Sequence, residues 1–275
     1  MNFADDYPLK VGSMLFTLVD PNLGYEVAYN RWYERDHFYG GCMTGPYCFA
    51  GGRWVSTREL KDLRFPADET NALTNPWDSG SYLAIYWVED GHHDDHFNWG
   101  AQQVQHLYAG GRGFSERKHA HTALYDHVRN YYRDDDPVPM ELALDHGYKG
   151  LVSVSIEKNP EINTFEFEDW LESLALSTVF KSGAAESCSI WKPVPGQDEM
   201  TGKAPMDLGT SPGGENRYVQ LFFIEKDPRE VWDDFIEYGK TVDSSDKAKI
   251  LFACLLYTSD AADDTPCVDL GGRRI

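Results

Sequence analysis

The sequence predicts an α+β fold built from two tandem copies of one strand–helix–strand, strand–helix–strand unit. Three observations lead there: aromatic landmarks that recur at a nearly constant offset, the same order of β-rich and helix-periodic segments in each half, and a polar, proline-broken join between the halves. Trp32-Tyr33-Glu34 returns as Trp170-Leu171-Glu172, an offset of 138; Arg53-Trp54 ends a segment that returns at Ile190-Trp191, an offset of 137. Tyr82-Leu-Ala-Ile-Tyr-Trp-Val-Glu89 returns as Tyr218-Val-Gln-Leu-Phe-Phe-Ile-Glu225, an offset of 136. A period that holds across three landmarks marks a repeated structural unit, and this order of elements is the ferredoxin-like split βαβ arrangement.

In the first unit, residues 13–19 are rich in β-formers and closed by Asp20-Pro21, which reads as a strand. Residues 25–37 read as a helix, because Tyr25, Ala28, Tyr29 and Trp32 fall at three-and-four spacing, with Gly40-Gly41 as its stop. Residues 47–55 and 82–89 make the second and third strands, 92–108 a second helix ended by Gly110-Gly111, and 119–125 a short fourth strand. The second unit repeats the series at 151–157, 165–181, 187–192, 217–225 and 228–239, with Pro228 as the expected first-turn proline of its second helix. Residues 1–127 are thus the first unit, 128–147 a linker and 148–253 the second unit. Two long connections, 56–80 and 193–215, are rich in Pro, Gly, Asp and Thr. Loops of that length usually carry a function or are disordered, so they suit a cavity cover or an oligomer arm.

With 45 acidic and 25 basic side chains among 275 residues, the formal net charge is −20, which argues against sequence-independent nucleic-acid binding. No apolar run approaches a membrane span, and the N-terminus lacks the basic and apolar regions of a secretory signal, so a cytoplasmic protein is expected. Cys42-x5-Cys48 is not a zinc spacing, and the few cysteines do not make a disulfide framework.

Composition changes at Cys254. Residues 254–263 reverse-translate to TGT CTC TTA TAC ACA TCT GAC GCT GCC GAC, which looks like the transposon adapter of short-read sequencing libraries. Residues 267–275 read as TGT GTA GAT CTC GGT GGT CGC CGT ATC, which resembles the flow-cell adapter that follows it in the same frame. The expectation is that the genuine sequence stops near Ala253 and that residues 254–275 are adapter read-through. The second unit's fourth strand is expected near 255–262, inside that segment, so a native strand would be missing and a sheet edge left open.

Tyr29-Asn30-Arg31-Trp32-Tyr33-Glu34-Arg35-Asp36-His37 resembles the helix signature of the dimeric α/β-barrel superfamily in its EthD-like branch, where an aromatic-Asn-x-Trp-Tyr-x-x-x-His run follows the first strand. The likeness is sharp over that helix and rests on element order elsewhere; Phe38-Tyr39 stands where a proline often follows the His. It implies two sheets facing each other around a cavity, a barrel that a duplicated chain closes by itself, and cofactor-free proton transfers, cyclisations or oxygenations on aromatic or polyketide-like compounds. The second unit has no counterpart of His37, so an asymmetric site is expected, and a homodimer is compatible with the family.

His37 lies four residues after Tyr33 and eight after Tyr29, on one helical face; an imidazole transfers protons near neutrality and a Tyr hydroxyl orients it or the substrate. His119 and His121, two apart on a strand, are expected to share a face, either lining the cavity as a second acid–base or polar contact or forming a surface pair on an edge strand. Arg53 offers a fork of donors for a carboxylate or enolate oxygen, against an ion-pairing role in so acidic a chain, and Trp32 completes the substrate-binding set. Trp54 and Trp191, present in both units, suit core packing. In His92-His93-Asp94-Asp95-His96 the acids suit a helix start better than a metal, and no metal site is expected. The function expected is a small-molecule-binding protein acting as a cofactor-independent isomerase, cyclase, lyase or monooxygenase through His37, with Tyr33, His119 and His121 assisting. The alternatives are a non-catalytic accessory protein and a metal or haem enzyme. For the terminal segment, resequencing the source locus past codon 253 is expected to give different codons; the same 22 in genomic DNA would refute the adapter reading.

Overall fold

The computed structural model describes residues 7–67 and 71–258. Eight strands run antiparallel to their neighbours and close into one barrel: β1 (Val11–Pro21), β2 (Cys48–Val55), β3 (Tyr82–Glu89), β4 (Arg117–Tyr132), β5 (Gly150–Lys158), β6 (Ser187–Pro193), β7 (Arg217–Ile224) and β8 (Ala248–Thr258). Their order around the barrel is β1-β3-β2-β8-β5-β7-β6-β4. The first four strands therefore lie in the order 4-1-3-2 and the last four in the equivalent order 8-5-7-6. Two seams join the sheets. One is long, where β4 pairs with β6 from Tyr125–Pro193 to Tyr132–Ser187. At the other, among the described residues, β2 meets β8 at Trp54–Thr258 and Val55–Tyr257, with a further bridge between Phe65 and Ala253. Closure leaves none of these strands as a free edge.

Helices cover the outside. In the first half α1 (Glu26–Trp32) continues without interruption as a π-helix (Tyr33–Met43), followed by the short α2 (Arg58–Lys61) and by α3 (His93–Ala109). In the second half come α4 (Thr164–Ser177), the short α5 (Asp198–Thr201) and α6 (Trp232–Ser244). No described helix is long and apolar enough to cross a membrane.

The barrel is filled. Met14, Phe16 and Leu18 of β1, Ile85 and Trp87 of β3, Trp191 of β6 and Leu221 and Phe223 of β7 belong to one buried cluster, in which the Trp87 and Trp191 rings stack at 6.0 Å. Eight strands leave an interior just wide enough for side chains, and among the described residues this cluster occupies the space where a cavity between facing sheets was expected. Outside the second sheet, Phe167, Leu171 and Ala175 of α4 and Phe235, Tyr238 and Val242 of α6 pack on Val152, Val154, Ile156 and Phe222. That layer is also closed.

Four sequence expectations need correction. Gly40-Gly41 does not stop the first helix: the chain widens to i→i+5 bonding at Tyr33 and carries both glycines to Met43. β4 runs on to Tyr132, into the segment read as linker, because its far end has β6 to pair with. Pro228 is not a first-turn proline. Its ring fills the space beside Gly150, where a Cβ would stand 2.2 Å from Pro228 Cγ, and α6 begins only at Trp232. Finally, the eighth strand is present. Ala248–Thr258 pairs along β5 from Lys158 to Gly150, with Ala253, Cys254, Leu255 and Leu256 all buried. It lies earlier than expected and includes the first five residues of the segment that begins at Cys254; the rest of that segment, residues 259–275, lies outside the described residues.

The chain cut after Ala253 is expected to unfold or melt far lower. Burying a leucine is worth about 1.5–3 kcal/mol, and Leu255 and Leu256 are both removed along with the β2–β8 seam. Their loss approaches the roughly 5 kcal/mol floor of domain stability. Circular dichroism melts of the two chains check this; equal midpoints would show that residues 254–258 contribute nothing to closure.

Candidate functional site

A cavity of about 160 Å³ lies on the outer face of the first sheet, between it and the helices of the same half. Its floor is Leu15, Thr17 and Val19 of β1 with Arg117, His119, Thr122 and Leu124 of β4. One wall is the π-helix, through Tyr33, His37, Gly41 and Cys42. These residues recur at four-to-five spacing, as the wider helix requires. The other wall is α3, through His96, Phe97, Gly100, Ala101 and Val104. Small residues make the space: a Cβ on Gly100 would meet nothing within 4 Å.

The roof comes from the second half. Thr201, Lys203, Ala204, Pro205, Met206 and Leu208, from the long connection between β6 and β7, close over the opening. This connection is stapled to β4 on both sides of the roof. Gln197 accepts from the Leu124 N–H and donates to the Leu124 carbonyl, both at 2.8 Å. Beyond the roof, the Thr210 N–H donates to the Ala120 carbonyl at 3.0 Å, and its hydroxyl donates to Leu73 O at 2.9 Å. Of the two covers suggested for the long loops, the cavity cover is the one the second loop supplies.

His37 is stacked on Trp32, ring centroids 4.4 Å apart, with the edge of Tyr33 at 5.3 Å. Neither ring nitrogen has a hydrogen-bond partner among the described residues. Burial pushes its pKa down to about 3, the positive charge of Arg117 adds to that, and Asp36 pulls partly back. The imidazole is therefore neutral at pH 7. Gly41 permits its position, since a Cβ there would stand 2.7 Å from His37 Nδ1. Behind it, Tyr86 donates to the Tyr33 hydroxyl at 2.9 Å, and burial raises the Tyr33 pKa.

His119 has a defined tautomer. The Arg117 Nε–H donates to His119 Nε2 at 3.1 Å, so the ring proton sits on Nδ1 and is donated to Thr122 Oγ1 at 2.7 Å. Thr122 and Thr17 share a further bond of 2.7 Å. Burial, then Arg117 and His37, hold His119 at about 3. His96 donates from Nδ1 to the Pro46 carbonyl at 2.9 Å, and burial lowers its pKa too.

Of the residues expected from sequence, His37, Tyr33 and His119 meet at this cavity, and Trp32 backs His37. Tyr29 stands one layer behind, packed among Trp32, Tyr33, Tyr82 and Phe114. Arg53 lies outside the lining of this cavity. It donates to Glu34 at 2.8 Å and Asn30 at 2.7 Å and lies over the Tyr33 ring, the ion-pair role that an acidic chain favours. His121 does not share a face with His119. Leu18 pairs with His121 but Val19 with His119, so Ala120 is an extra residue in β4 and the two histidines point to opposite sides. His121 turns inward, bonded to Tyr125 Oη at 2.7 Å and Thr210 Oγ1 at 2.9 Å. The cluster at 92–96 also divides: His92 stacks on Tyr47 at 3.5 Å while His96 faces the cavity. Sequence reasoning missed Arg117, His96, Thr17, Thr122 and the roof. Arg117 was within reach, because the alternation that joined His119 to His121 also joins it to Arg117 on the unbulged side.

No protein-family model matches the chain, and no curated protein matches it. Among solved structures it is similar to a protein provisionally assigned as a chlorite dismutase (13% identity, TM-score 0.52, covering 92% of this chain and 97% of that one). It is also similar to a chlorite dismutase variant from Candidatus Nitrospira defluvii (10% identity, TM-score 0.51, 94% and 97% covered). A third likeness, to an anthrone oxidase-like protein, has 8% identity and a TM-score of 0.48, with 90% and 92% covered, and is too slight to argue from. At such identities the likeness is one of fold: this chain shares the mixed α+β barrel architecture of the chlorite dismutase-like structures.

Three histidines whose pKa is pushed down chiefly by desolvation make stability depend on pH with a fixed sign. The folded pKa values are about 3 for His37 and His119 and about 4 for His121, against 6.5 unfolded. Between those values the unfolded chain binds more protons, so stability is complete above about 6.5 and is lost as pH falls toward 4. Urea midpoints at pH 7.5 and 5, above the ordinary carboxylate range, are expected to drop. A level or rising midpoint would mean the rings are not buried neutral.

Proposed function

We propose that this chain is a small-molecule enzyme of the EthD-like branch, a tandem duplication in which only the first copy keeps the site, and that His37 moves the proton. The observation that supports this most directly is an imidazole with unpartnered nitrogens on the wall of a largely apolar cavity. About 160 Å³ is close to the engineered cavities of about 150 Å³ that hold benzene, which favours a one-ring aromatic compound over a polycyclic one. In such a compound His37 takes a proton from the carbon beside a carbonyl, and the electron pair of that C–H bond moves onto the oxygen as an enolate. Return of the proton to another carbon completes an isomerisation. In a cyclisation the enolate carbon instead attacks a second carbonyl of the same molecule, whose π electrons move onto its oxygen, and that alkoxide takes the proton back from His37. A base held near 3 accepts a proton only when a negative charge develops beside it, and in a water-poor cavity that pairing is strong. Tyr33 and Trp32 fix the ring's direction; His119, Thr122 and Thr17 present a fixed row of polar groups on the floor.

A haem does not fit this cavity, whose volume is that of one small ring. For a metal ion bound by side chains alone, the described residues hold no group of three or more His, Cys, Asp or Glu. Barrel and cavity are complete within one chain, so the site needs no second copy. The described cysteines, Cys42, Cys48, Cys188 and Cys254, are all free, which suits a cytoplasmic setting.

The second reading, a binding or accessory protein, is favoured by the same low pKa, since His37 does not titrate near neutrality. One experiment separates the two. Phenylacetone in D₂O is followed by proton NMR for deuterium uptake beside its carbonyl. Catalysis by the chain, cut about 100-fold or more in His37→Ala with binding kept, is the result expected of a general base. Binding without exchange in the unaltered chain selects the accessory role, and exchange unchanged in His37→Ala removes His37 from the mechanism.

A further inference from the structure

We propose that the cavity's ligand carries an anionic oxygen on a single aromatic ring, and that Arg117 is the residue that receives it. The proposal rests on the reading that this cavity takes a small molecule, and it names the charge of that molecule.

Among the described residues Arg117 is the arginine that lines this cavity; Arg31 and Arg35, which also reach no carboxylate, are exposed and do not line it. Arg53, Arg58, Arg112, Arg129, Arg133, Arg217 and Arg229 each reach a carboxylate. Arg117 reaches none among the described residues, in a chain with 45 acidic side chains to choose from. Its bonds are to His119 Nε2 at 3.1 Å, the Phe114 carbonyl at 3.2 Å and the Tyr108 hydroxyl at 3.1 Å. A guanidinium has five N–H donors, so these bonds leave part of the fork unused beside the cavity. Arg64 shows the contrast. It too lacks a carboxylate, but Trp77, Ser79 and Gly80 give it three carbonyls, and it does not line this cavity.

The surroundings sharpen the point. Arg117 lies over the Trp32 ring at 4.5 Å, which fixes its plane without neutralising it. The imidazoles beside it, His37 and His119, are neutral. Lys203 in the roof is the other cation at the cavity, and it reaches Glu199 only at 3.9 Å. A positive charge without a counter-ion in a half-buried site is an unfavourable arrangement. A carboxylate or enolate oxygen matches its planar fork, and either one gains a charge-assisted bond. Arg117 thus takes the task for which Arg53 looked suited in sequence.

The test is titration calorimetry at pH 7.5 with benzoate, 4-nitrophenolate and the neutral benzamide, on the unaltered chain, Arg117→Gln and Arg117→Lys. At least one anion is expected to bind about tenfold or more tightly than benzamide, in keeping with a charged hydrogen bond. Arg117→Gln should abolish that preference while leaving benzamide within about twofold, and Arg117→Lys should keep part of it as a point charge without the fork. Tighter binding of benzoate assigns a carboxylate; tighter binding of 4-nitrophenolate assigns an enolate-like oxygen. Benzamide binding as well as both anions to the unaltered chain overturns the proposal and leaves the cavity reading standing. An anion preference that survives in Arg117→Gln overturns it as well. If none of the three probes binds, the cavity reading fails with it. The comparison within the unaltered chain decides even if Arg117→Gln does not fold.

Discussion

The site hangs on one extra residue in β4. Ala120 has no partner of its own in β1, and that stagger turns the strand's faces over between His119 and His121. On the near side Arg117 and His119 point outward and become the cavity floor. On the far side His121 points inward, bonds to Tyr125 and grips Thr210, which fixes one end of the roof. Without the stagger His119 and His121 would share a face, and floor and roof anchor would compete for it. A bulge beside a site is a common device for aiming side chains; this one aims two histidines to different ends of the same construction.

The two halves share strand order but not packing. In the second half, Phe235 and Tyr238 on α6 and Phe167 and Leu171 on α4 fill the space between helix and sheet. In the first half, Gly100 and Ala101 on α3 and Gly41 on the π-helix leave it open. The difference is one of side-chain volume at a few positions. Close packing elsewhere keeps it from collapsing: Tyr86, Tyr33 and Tyr29 belong to one buried cluster at the back of the cavity.

Much of the fold was legible because alternation and helical spacing report burial directly. Tyr82–Glu89 was read to the residue, and β1, β2, α3 and β5 to within a few positions. What misled was chemistry that acts against the local signal. Paired glycines usually end a helix, yet here the wider π-turn absorbs them. A proline after a strand suggests a helix start, yet Pro228 fills a gap beside Gly150. In the site, the Tyr33–His37 spacing was readable because four residues keep one face in either helix type. The bulge was not readable, since Lys118-His119-Ala120-His121 carries no mark that distinguishes it from regular alternation. The roof was also out of reach, because its contact with the floor depends on how the two sheets close.

That borrowed roof divides the protein's labour. The groups able to move or hold a proton sit on β4, the π-helix and α3, all in the first half, where each is locked by packing. The surface that closes over a bound molecule sits in the second half, on a loop tied to β4 at Gln197 and Thr210 and otherwise unconstrained by the sheet. Substitutions between those two ties, Lys203 apart, change the shape of the chamber and not the charged and proton-holding groups on its floor and walls. Selection on one half can therefore alter what the protein accepts while the other half keeps what it does, a separation that a symmetric pair of identical subunits does not have.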